Sequence, residues 1–106
     1  MKRLAIFAYL ICFAAVTYAQ QGVLPYDVLM RSGKIRTQAK DFDKAMEFFQ
    51  IAVKNYPNEP EAHYWLGEAY LTLKNRKDAV REFKTVIELA PDSDFARMAR
   101  QRLDRL

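Results

Sequence analysis

The chain is expected to be all-α: helix-turn-helix units stacked into a short right-handed α-solenoid. Three observations predict this. Gly33 recurs as Gly67 and Pro57 as Pro91, so two of the three glycines and two of the four prolines repeat at a separation of 34 residues. Ala45 and Ala79, and Phe49 and Phe83, keep the same phase. Apolar residues then fall at helical spacing from Tyr26 almost to the end. A period of this length on helix-forming sequence marks units whose apolar faces are buried only by their neighbours.

At 106 residues the chain has room for one small domain. Met1-Lys2-Arg3 gives a positive start, Leu4 to Val16 is an apolar run of 13 residues, and Thr17-Tyr18-Ala19 sets small residues three and one before a cut. Residues 1–19 therefore read as a signal peptide cleaved after Ala19, because a membrane span needs about 20 apolar residues. The mature chain is expected to be exported to the periplasm. Cleavage lowers the formal net charge from +4 to +2, which argues against nucleic acid as a partner. Cys12, the only cysteine, falls inside the leader without a small residue just before it, so neither a lipid anchor nor a disulfide is expected.

Residues 20–25 read as a linker. Five helices follow in the pattern, over Tyr26–Ala39, Asp43–Asn55, Pro60–Leu73, Arg76–Leu89 and Asp94–Arg105. Asn55-Tyr56-Pro57-Asn58-Glu59 stops the second, and Pro60 suits the first turn of the third because its φ is already helical. Pro91-Asp92-Ser93 repeats the device with Ser93 as an N-cap and Asp94 at the positive end of the helix dipole. Gly33 with Ala45, and Gly67 with Ala79, are expected where the helices of each hairpin approach most closely, with Phe49 and Phe83 filling the remaining space.

Leu66-Gly67, Tyr70, Ala79, Phe83 and Pro91 in residues 60–93 resemble the tetratricopeptide repeat, with Val86 for a usual alanine and His63 for a usual tryptophan. Residues 26–59 keep Gly33, Ala45, Phe49, Ala52 and Pro57 but carry Ser32 for the leucine and Arg36 for the aromatic. The first helix of this unit is thus expected to fray or to dock on a partner. Residues 94–106 resemble the lone first helix of a third unit, a C-terminal cap with Arg97, Arg100, Gln101 and Asp104 outward.

The resemblance implies a non-enzymatic binding module whose concave face is lined by the first helix of each unit. Carried over, the lining is Asp27, Met30, Arg31, Lys34 and Gln38, then Glu61, Tyr64, Trp65, Glu68 and Thr72, with Phe95, Met98, Ala99 and Arg102 from the cap. Met30, Lys34, Glu61, Tyr64, Trp65, Glu68, Phe95, Met98 and Arg102 are the expected partner-binding residues, since aromatics and methionines flanked by both charges suit an extended or helical peptide. A carboxylate clamp for chaperone tails is not expected, because the fifth and sixth places hold Met30 and Trp65 where such clamps carry basic residues or asparagine.

No catalytic residue, metal ligand or cofactor is expected. His63 is the only histidine, no phosphate loop or mature cysteine accompanies it, and packing between helices is its simplest use. The carboxylates read as scattered over solvated faces, Glu82 and Glu88 among them. The arginines of the last helix spread around it, which favours a solvated cap over membrane contact. The rival to a partner-binding module is a self-assembling one, a homodimer that buries an end face of so short a stack.

Overall fold

The computed structural model describes residues 23–106. The expected leader and its cleavage site lie outside the described residues. Within them are five helices and no strand: α1 (Tyr26–Gln38), α2 (Phe42–Asn55), α3 (Pro60–Thr72), α4 (Arg76–Leu89) and α5 (Asp94–Asp104). Each boundary falls within one residue of that expected. Turns of three or four residues make successive helices pack side by side, α1 on α2 through to α4 on α5, while α5 also reaches α3. The result is a short solenoid in which α1, α3 and α5 line one face with α2 and α4 behind.

The hairpin turns repeat in backbone as well as in sequence. Lys40 and Lys74, 34 residues apart, both take left-handed φ values of 64° and 66°. The following amide then bonds back five residues, Asp41 N to the Arg36 carbonyl at 2.9 Å and Asn75 N to the Tyr70 carbonyl at 2.8 Å, which satisfies the end of the first helix. Asp41 and Asn75 next cap the second helix, accepting from the amides of Lys44 and Asp78 at 3.4 and 3.3 Å. Ser93 caps α5 by accepting from Ala96 N at 3.0 Å, and Pro60 opens α3, both as expected.

The core is a line of small and aromatic residues. Phe49 and Phe83 are wholly buried, as are Ala45, Ala52, Ala79 and Val86. Each ring lies on its glycine: a Cβ on Gly67 would stand 2.8 Å from Phe83 Cε1, and one on Gly33 would collide with Phe49. The close approach at each glycine is therefore set directly by the aromatic ring, with the alanine buried beside it. Helix α1 is regular along its length, so the expected fraying at Ser32 and Arg36 does not occur.

Glu82 corrects the sequence reading. It is buried instead of solvated, and its Oε2 lies 2.7 Å from His63 Nδ1. His63, also buried, donates its other nitrogen's proton to the Pro57 carbonyl at 2.7 Å. The imidazole thus ties α3 to α4 and to the turn between the two units. Burial alone would lower its pKa, but the Glu82 hydrogen bond, the Pro57 carbonyl and the Glu82 charge together raise it.

Candidate binding groove

The lining face follows from helical spacing. Tyr26, Met30 and Lys34 recur every four residues along α1, and Asp27, Arg31 and Gln38 form the adjoining row. With Ile35 and Glu61 they surround a depression of about 480 Å³ between α1 and α3. Its far wall is tied across the helices: Lys34 is ion-paired with Glu61, and the Tyr26 hydroxyl donates to the other Glu61 oxygen at 3.2 Å. Burial and then the Glu61 charge hold the Tyr26 phenol well above its usual pKa, so it stays a donor.

The face continues over α3. Lys34 Nζ lies 5.4 Å from the centroid of the Trp65 ring, within cation–π range. Trp65 is half-buried, stacks on Phe49 at 6.0 Å and meets Tyr64 edge-on at 6.0 Å. Its indole N–H is buried with no hydrogen-bond partner among the described residues. It borders a cleft of about 70 Å³ formed with Thr37, Phe42, Glu68, Ala69 and Thr72. Beyond it, Arg102 Nε meets Glu68 Oε1 at 2.6 Å, and Tyr64, Met98, Gln101, Arg102 and Arg105 line a third depression of about 150 Å³. The Tyr64 hydroxyl is pushed up mainly by burial, and the Arg102 guanidinium mainly by hydrogen bonding to that hydroxyl.

Eight of the nine expected residues therefore line three depressions running along α1, α3 and α5. Met30 and Tyr64 are floor, only 3% and 4% exposed, whereas Lys34 and Arg102 stand on the rim. Phe95 lines none of the three: its ring packs 5.7 Å from Tyr64 against the core. Ala99, also expected in the lining, is wholly buried. Tyr26, Ile35, Thr37 and Phe42 were missed. Tyr26 could have been found from its spacing of four to Met30, but Thr37 and Phe42 reach the cleft only because of how the hairpin turns.

Charge on this face is largely satisfied internally. The Lys34–Glu61 and Arg102–Glu68 pairs join neighbouring first helices and leave the exposed Asp27 and Arg31 as the open charges of the largest depression. Such a surface offers area and hydrogen bonds along its length, not a focused charge. Among the described residues no group of three or more histidine, cysteine or acidic side chains could hold a metal ion, and no helix is long and apolar enough to cross a membrane.

A comparison with curated proteins found no match. The sequence model of the tetratricopeptide repeat matches residues 36–103, a span from the end of α1 almost to the end of α5. Taken with the recurring glycine–phenylalanine contacts and the stacked hairpins, that match places the chain in the tetratricopeptide repeat family, whose members typically mediate protein–protein interaction without catalysis.

Proposed function

We propose that this chain is an exported, non-enzymatic scaffold of the cell envelope that holds a segment of a partner protein along the α1–α3–α5 face. The observation that carries the reading is Trp65: a half-buried aromatic in the middle of that face, with an indole N–H left without an acceptor beside a small open cleft. A buried donor without a partner costs about 1–3 kcal/mol. The backbone carbonyl of an extended segment removes that cost while the indole ring supplies apolar area. Export rests on the leader pattern of residues 1–19.

The test uses the chain recovered from the envelope of its host, with mass spectrometry fixing its first residue. Processing is expected to leave Gln20 first, and a chain retaining residues 1–19 would overturn export by cleavage. Capture of envelope proteins is then compared for the wild type, for Asp27→Lys/Arg31→Glu in the groove, and for Glu47→Lys/Lys54→Glu on the outer surface of α2. All four side chains are exposed, so both double variants should fold. A partner lost by the groove variant and kept by the α2 variant supports the reading; the reverse pattern overturns it. Trp65→Ala is a weaker probe, because the ring also stacks on Phe49 and its loss would unsettle the fold.

A further inference from the structure

The outward side of α1 is built like a side that, one repeat later, is buried. Val28, Ser32 and Ile35 stand 34 residues before Ala62, Leu66 and Ala69. The latter three are 0%, 2% and 5% exposed on the side of α3 covered by α2, whereas Val28 and Ile35 are 39% and 55% exposed. No described helix precedes α1, so this apolar side is open. The opposite end of the stack differs: α5 turns Arg97, Arg100, Gln101 and Asp104 outward, all exposed.

We infer that the open side of α1 is a homodimer interface, and that its occupant is α1 of a second copy packed antiparallel about a two-fold axis near Ser32. Three features select a second copy. The stripe reads large, small, large, so the axis brings Val28 of one copy against Ile35 of the other while the small Ser32 lets the helices approach at their crossing. The antiparallel arrangement sets Asp27, in the acidic first turn of α1, level with Arg36 in the basic last turn of its mate, and it opposes the two helix dipoles. Finally, the charged outer side of α5 offers no apolar surface to the open side of α1, which disfavours head-to-tail stacking and leaves a closed dimer. Ile35 lies where this side meets the groove, so dimerisation places two grooves side by side.

Light scattering on the processed chain over a range of concentrations should give a dimer. Val28→Glu, a residue outside the groove lining, should weaken that dimer about tenfold or more by setting charges at the contact. Its helical circular dichroism should stay unchanged. A second measurement does not depend on destabilising anything: on a Cys12→Ser background, Ser32→Cys should oxidise to a cross-linked dimer, and Gln101→Cys on the α5 side should not. A wild-type chain that is monomeric at every concentration would overturn the inference, whether its α1 side is bare or covered by residues 1–22. Cross-linking through Gln101→Cys in place of Ser32→Cys would overturn it equally.

Discussion

The two hairpins share a plan but not an environment, and the difference shows how much of a repeat's character its neighbours supply. Only Leu29, Met30 and Gly33 of α1 are buried, while α3 buries seven residues from Ala62 to Tyr70. Glycine, alanine and phenylalanine sit at matching places in both units, so the contrast does not come from the hairpin itself. It comes from stacking: α3 lies against α2, α4 and α5, whereas one side of α1 is open. In such quasi-linear folds each unit contributes its own stability and each interface adds another increment.

The largest expected effect tests that account. Gly67→Leu puts a side chain into space held by the Phe83 ring, and neighbours on both sides prevent α3 from shifting. It should destabilise by about 3 kcal/mol or more. Gly33→Leu makes the same collision with Phe49, but α1 can tilt outward on its open side, so its cost should be about 1 kcal/mol smaller. Urea unfolding of the two variants measures the difference. Equal losses would mean that the hairpins respond alone and that stacking does not constrain α3.

The next contrast is chemical. His63 and Glu82 stand where the first hairpin has Leu29 and Phe48, so one unit joins its helices by an apolar contact and the other by a buried ionisable pair. Removing one partner strands the other: Glu82→Ala should destabilise by about 2 kcal/mol, below the full cost of an orphaned ion because the imidazole can shed its proton. His63→Leu/Glu82→Phe, which imports the first unit's solution, should recover most of that loss. The pair also has a pH signature. Its histidine pKa is raised on folding, so its stabilisation is fully present below the unfolded value of about 6.5 and fades as pH rises through the folded value. The wild-type midpoint should therefore fall relative to the double variant between about pH 6 and about pH 9. A constant difference across that range would show that His63 is neutral in the fold throughout.

That pair also marks the limit of what the sequence discloses. The 34-residue phase made the helices, the glycine–phenylalanine contacts and the Ser93 cap legible, because each depends on residues at fixed local spacing. His63 and Glu82 are 19 residues apart on different helices, and nothing local separates a buried carboxylate from the solvated ones beside it. The groove was legible as stripes but not in depth. Helical spacing put Met30, Tyr64 and Phe95 on the lining face, yet the first two are its floor and the third is packed against the core, since depth depends on how far adjacent helices spread.

The smallest expected effect concerns a feature that recurs with the repeat although lysine carries no signal for it. Lys40 and Lys74 both adopt left-handed φ at the same point of the hairpin turn. A residue with a Cβ pays about 1–2 kcal/mol there, which glycine avoids. Glycine also makes the unfolded chain freer, which offsets part of the relief and leaves a net gain of about 0.5 kcal/mol per site. For a domain of this size that is a rise in unfolding midpoint of about 2–4 °C. Lys40→Gly and Lys74→Gly should gain equally and add in the double variant, because the two turns share their capping bonds but no contact partner. A gain at Lys74 alone would mean that the first hairpin opens before its turn is tested, and it would extend the difference between the two units from their burial to their order of unfolding.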